Sequence, residues 1–220
     1  MIHPELTKYI EPHLPGARIE TMTLPHSPML QLYLLGADYP QHTLEPEQIA
    51  HLMDNPLYWS FCWASGQVLA QFLLEDPARV AGRHVLDFGC GSGVVAIAAA
   101  AAGAERVIAC DIDPIALEAS EANAALNGVV LEYAADFDAV EGKLDLIIVA
   151  DVLYDRENLP WLQRFCERAS EVLVADSRIK DFNVAPYRQI GRRAACTLPD
   201  LDESPEFRDV RLYHAGARSL

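Results

Sequence analysis

Basic residues are scarce in this chain of 220. Lys and Arg number 17 against 32 Asp and Glu, for a formal net charge of −15. Gripping a phosphate backbone takes clustered Lys and Arg, and here they are scattered, so no nucleic-acid partner is expected. Paired cysteines are missing as well: Cys62, Cys90, Cys110, Cys166 and Cys196 lie far apart with no C-x-x-C spacing. That pattern predicts reduced, buried thiols rather than a disulfide framework or a zinc site. The seven histidines show neither H-x-H nor H-E-x-x-H spacing, so no metal is expected. No apolar run is long enough to cross a bilayer. The opening MIHPELTKYIEPHLPG has neither the basic-then-apolar order of a signal peptide nor the Arg-rich, acid-poor composition of a transit peptide. These absences predict a cytoplasmic protein with no membrane partner.

Two phosphate-binding signatures are absent too. The run HVLDFGCGSG, residues 84–93, places its glycines as G-x-G-x-G, with Val94 where a dinucleotide fingerprint needs its third glycine, and no Gly-Lys-Ser/Thr follows. What is present is a strand end at Val85 and Leu86, a turn at Gly89, Gly91 and Gly93, and an alanine-rich helix over 94–102. Such a unit brings bare backbone N–H groups up to a ligand, because glycine turns sharply and leaves no Cβ in the way. Asp87, two residues before the first glycine, would repel a pyrophosphate and attract an ammonium group. S-adenosylmethionine has an adenosine, no phosphate, and an amino-acid end.

DFGCGSG, followed after the helix by CDIDP, resembles motif I and the acidic motif of class I, seven-stranded S-adenosylmethionine-dependent methyltransferases. NPLYWSFCWASGQVLAQFLLEDP upstream and ADVLYD downstream resemble the lysine methyltransferases of methyltransferase family 16, in the branch acting on the β subunit of electron-transfer flavoprotein. The resemblance covers residues 55–177. It implies S-adenosylmethionine as cofactor and a lysine side chain of a protein as acceptor. ADSRIKDF departs from it: the related enzymes usually show Asp-Pro-Gly-Arg, which Asp176 and, one position early, Arg178 match and Ser177 and Ile179 do not.

At 51% hydrophobic the chain can build one sizeable core. From Val85 onward strands and helices alternate, predicting an α/β fold: a doubly wound, mostly parallel sheet of seven strands with a small N-terminal cap. We expect a cap segment over 1–56 and a methyltransferase domain over 57–220. The cap contains two β-prone runs, 18–24 and 29–36, placed over the cofactor cleft, and a helix starting near Pro46 and ended by Asn55-Pro56. Apolar residues at helical spacing run through 57–75. Then come strands over 106–110, 129–134, 144–150 and 171–175, with helices over 114–126 and 157–169. Two alternating runs, 193–197 and 208–214, match the antiparallel hairpin with which the sheet of this family ends.

Ligands of open α/β sheets sit at the carboxyl ends of the strands, and the residues there are acidic: Asp87, Asp111, Asp136 and Asp151. Four carboxylates on one rim mark a binding site better than any one of them. Asp111 follows Asp87 by 24 residues, near the ~20-residue offset at which a carboxylate reaches ribose hydroxyls. The competing role, capping the helix at Pro114, suits Asp113 better. Ile112 offers the adenine an apolar face; Asp136 can accept from its amino group with Phe137 on the ring, or be a plain loop aspartate. The family resemblance implies that Trp63, Ser65 and Gly66 close over the methionine end. It also implies that Asp151 and Tyr154, as D-x-x-Y, stand beside the donor methyl, with Asp151 orienting the amine and Tyr154 bounding the pocket. The alternative for Asp151 is a helix cap; for the tryptophans it is core packing. Rival functions are methylation of a small molecule or of another protein nitrogen, as in the ribosomal protein L11 type, and cofactor binding without transfer.

Overall fold

The computed structural model describes residues 1–40, 56–153, 156–179 and 183–216. Helix α1 (Pro4–Ile10) leads into an antiparallel hairpin, β1 (Ile19–Leu24) and β2 (Ser27–Leu35), which forms a two-stranded sheet of its own. The helix expected near Pro46 lies outside the described residues. After α2 (Ala64–Glu75) the alternation is regular: β3 (His84–Phe88), α3 (Val94–Ala101), β4 (Arg106–Cys110), α4 (Pro114–Leu126), β5 (Glu132–Ala134), β6 (Leu144–Ala150), α5 (Trp161–Arg168) and β7 (Ala169–Asp176). Strands β8 (Arg188–Ala194) and β9 (Asp209–Gly216) close the chain.

The main sheet has seven strands in the order β5-β4-β3-β6-β7-β9-β8. Pairing is parallel from β5 to β7 and antiparallel where β9 joins β7 and β8. Strand β3 is central, and its pleat sends alternate side chains into two cores: Val85 toward α2 and α3, Leu86 toward the aromatic layer of Phe137 and Phe165. Both edges are short or irregular. Strand β5 has three residues, and β8 carries Arg188, Arg192 and Arg193 with a register shift between Gln189 and Gly191.

Several expected boundaries move. The stretch 57–75 is not one helix: a 3-10 turn, Tyr58–Ser60, is followed by extended backbone at Phe61. Cys62 there exchanges both backbone hydrogen bonds with Leu198, at 2.8 and 2.9 Å, so its N–H is committed to the tail of the chain and not to a helix. Trp59 consequently faces the core beneath the hairpin, while Trp63 stands at the N-cap of α2. The helix expected over 157–169 begins at Trp161 after a 3-10 turn, and β7 starts at Ala169, two residues early. The terminal hairpin likewise begins at Arg188 rather than 193.

The hairpin seats on the flank of α4. Asn123 accepts the Tyr33 N–H at 2.6 Å and donates to the Ser92 carbonyl at 2.9 Å, so one buried amide joins β2 to the glycine turn. That turn is set by close packing. A Cβ at Gly93 would lie 2.2 Å from Ser120 Oγ on α4, and Gly93 has φ +77°, a conformation L side chains rarely adopt. Gly93→Ala should therefore lower stability by about 2–4 kcal/mol, the left-handed penalty plus overpacking. Urea unfolding is the measurement; a loss under about 0.5 kcal/mol would contradict this packing.

Candidate functional site

At the carboxyl ends of β3, β4, β5 and β6 a cavity of about 1160 Å³ opens, and Asp87, Asp111, Asp136 and Asp151 all line it. Each carboxylate is held by backbone donors. Asp87 is buried and accepts from Ala96 in the first turn of α3 at 2.9 Å, satisfying one of that helix's free N–H groups. Asp111 accepts from Gly91 at 2.9 Å and from Asp113 at 3.0 Å, which pins the glycine turn to the end of β4. Asp113, not Asp111, caps α4, accepting from Ile115. Asp136 accepts from Asp138 at 2.9 Å.

Asp151 is the most heavily tied. Its Oδ2 accepts from the Ser65 N–H at 3.1 Å, and its Oδ1 accepts from the Ser177 N–H at 2.9 Å and hydroxyl at 2.8 Å. Ser65 lies in the first turn of α2, so Asp151 does cap a helix, but one that precedes it by 86 positions. Its φ of +50° is unusual for a residue other than glycine, a strain of about 1–3 kcal/mol that the surrounding bonds offset.

The remaining expected residues divide. Trp63, Gly89, Gly91, Ile112 and Phe137 line the cavity. Gly91, φ +50°, faces open space where a Cβ would project, whereas Gly89 is close enough to Val152 that a Cβ would sit 2.9 Å from its methyl. Ile112 is 90% exposed at the rim; Phe137 is buried edge-on against Phe88, 5.6 Å between centres. Ser65 and Gly93 are set back from the cavity, one serving Asp151 through its backbone, the other the contact between α3 and α4. Tyr154 lies outside the described residues.

Further residues line the cavity. His13 is the cap's contribution among residues 1–40; Trp161 and Arg164 of α5, and Arg178 and Glu203 beyond β7, line the cavity too. Trp161 and Arg164 are three apart on α5, the guanidinium 4.1 Å from the indole centre, and Arg164 pairs with Asp138. Arg178 pairs with Glu203 and lies 4.1 Å over the Phe207 ring. Among the described residues no cluster of three or more His, Cys, Asp or Glu could hold a metal, and no helix is long and apolar enough to cross a membrane.

Residues 68–179, just over half of the chain, match the family described as ribosomal protein L11 methyltransferase (PrmA). The chain belongs to that family. Within the PrmA match lie the glycine turn and all four rim carboxylates. Among curated relatives, the electron transfer flavoprotein beta subunit lysine methyltransferase of Mus musculus is 39% identical over 153 residues, covering 65% of this chain and 60% of that protein. The chain thus spans about three fifths of the length of such relatives. A ribosomal protein L11 methyltransferase of Pseudomonas aeruginosa is 63% identical over 54 residues, 24% of this chain and 18% of that protein. In fold, the ribosomal protein L11 methylase from Lactobacillus delbrueckii subsp. bulgaricus superposes with a TM-score of 0.52 at 24% identity, covering 70% of this chain and 79% of that chain.

Burial pushes the Asp87 carboxyl up to about 7, with the Asp111 charge adding and the Ala96 bond opposing. Burial likewise raises Asp111. A carboxyl that holds its proton more tightly folded than unfolded costs stability as pH rises from its unfolded value near 4 to its folded value near 7. The melting temperature of the protein alone should therefore fall between about pH 4 and 7. Asp87→Asn, which keeps an acceptor for Ala96, should fall less steeply; identical slopes in a calorimetric pH series would show that this carboxyl does not titrate there.

Proposed function

We propose that this chain is an S-adenosylmethionine-dependent protein-lysine methyltransferase. The observation that carries the reading is the rim, where four strand-end carboxylates and a left-handed glycine turn converge on one cavity. Such a donor set fits a cationic nucleoside and not a phosphate. The open space at Gly91 is the cradle a Cβ would fill, and the exposed Ile112 beside Asp111 suits an adenine face. Bound there, the cofactor supplies an electrophilic methyl group on a sulfonium. Asp111, each of whose oxygens already accepts one backbone bond, has lone pairs left for the two ribose hydroxyls. Asp136 and Phe137 bound the adenine, and Asp87 and Trp63 the methionine end.

The acceptor amine must present a neutral lone pair, although a free lysine titrates near ~10.4. Loss of water on entry disfavours the ammonium form, against the pull of the rim carboxylates. Asp151 then orients the amine through a hydrogen bond and Tyr154 bounds the pocket, so that this chain contributes mainly placement and desolvation. Lysine is favoured as acceptor by the 39% identity to flavoprotein lysine methyltransferases. The second reading, another nitrogen of a protein, is favoured by the 63% match over 54 residues to ribosomal protein L11 methyltransferases. Residues 1–56 serve as a cap and 57–220 as the catalytic domain. Five free cysteines suit a reducing compartment, and we place the protein in the cytoplasm.

The direct test is incubation with labelled S-adenosylmethionine and a lysate of cells lacking this chain. Label on a lysine, located by mass spectrometry, is expected; label on small molecules alone would overturn the assignment. Asp111→Ala should weaken S-adenosylhomocysteine binding by about 2 kcal/mol in calorimetry, the scale of two charge-assisted hydrogen bonds; unchanged affinity removes the ribose role. Asp151→Asn should keep that affinity within about threefold while transfer falls ~100-fold. If the variant retains full transfer, Asp151 is a cap and nothing more.

A further inference from the structure

The geometry points to Ser177 as a positioning residue for Asp151. The inference rests on the proposed function. Ser177 follows β7 directly and is 4% exposed. Its N–H and its hydroxyl, 2.9 and 2.8 Å away, both donate to the same oxygen of Asp151. Two donors from one residue fix the plane of the carboxylate, as a proline, lacking both groups, could not.

The other oxygen is held differently. Oδ2 takes a single backbone bond, from Ser65 at 3.1 Å, and it belongs to a residue lining the cavity. A carboxylate oxygen accepts about two bonds, so Oδ1, already taking two from Ser177, is saturated, and the free acceptor site is on Oδ2. Ser177 therefore decides which oxygen meets the acceptor amine and at what angle. Asp176 supports the turn by accepting from the Arg178 and Ile179 N–H groups, both at 2.7 Å, which leaves Ser177 little freedom to turn elsewhere.

A positioning role differs from a structural one in what it changes. Ser177→Ala should lower single-turnover methyl transfer about tenfold, the scale for a misplaced reacting group. The dissociation constant for S-adenosylhomocysteine should stay within about twofold and the melting temperature within about 3 °C, since no large group is lost. Ser177→Thr, which keeps the hydroxyl, should recover most of the transfer. Should the alanine variant fail to melt cooperatively, Ser177→Cys replaces it, being of similar size with only a weak donor.

Transfer by Ser177→Ala within about twofold of the parent overturns the inference, as does a loss that scales with cofactor affinity or melting temperature. A parent that transfers nothing to lysine sinks the proposed function, and this inference with it. An active parent with an indifferent Ser177→Ala sinks this inference alone.

Discussion

The bond from the Ala96 N–H to the buried carboxylate of Asp87, 2.9 Å long, is the contact around which the site is arranged. It fastens the first turn of α3 to the end of β3, so the chain between them must reverse within the five residues 89–93. That constraint forces three glycines into the left-handed region and leaves the turn facing outward into the cavity. Asp111 and Asn123 then fix the turn from β4 and α4. Remove the Asp87 contact and α3 keeps its alanine propensity but loses its aim.

A second tie has the same logic over a longer reach. Asp151 gathers the start of α2, the end of β6 and the residue after β7 on one carboxylate. Gln67, buried on the same helix, donates to the carbonyls of Cys62 and Cys196 and so anchors α2 to the C-terminal segment. The wall of the cavity formed by Trp63 and Arg178 is thereby held by side-chain hydrogen bonds together with the Cys62–Leu198 bridge.

What could be read in the residues was what local spacing controls. The glycine turn, the Asp113 cap, the strand–helix alternation and the four acidic strand ends depend on neighbours a few positions away, and the described structure has them. The ends of α2, α5 and β7 were misjudged because distant partners decide them: Cys62 pairs with Leu198, and no periodicity within 57–75 reports that. Ser65 was expected at the ligand; its backbone instead serves a carboxylate 86 positions later. The Trp161–Arg164 wall, by contrast, was open to discovery, as an aromatic and a cation three apart on a short amphipathic helix.

The two margins of the main sheet also bear on how copies of this protein behave at high concentration. A strand margin exposes unsatisfied backbone groups that invite another chain to pair. Here one margin, β5, offers three residues, too few for a stable ladder. The other, β8, has an interrupted register and carries Arg188, Arg192 and Arg193, charged residues that blunt a sheet margin. The sheet is thus guarded at both sides against growing into a larger one, which matters for a strongly apolar, alanine-rich interior that would be hazardous if recruited into an aggregate.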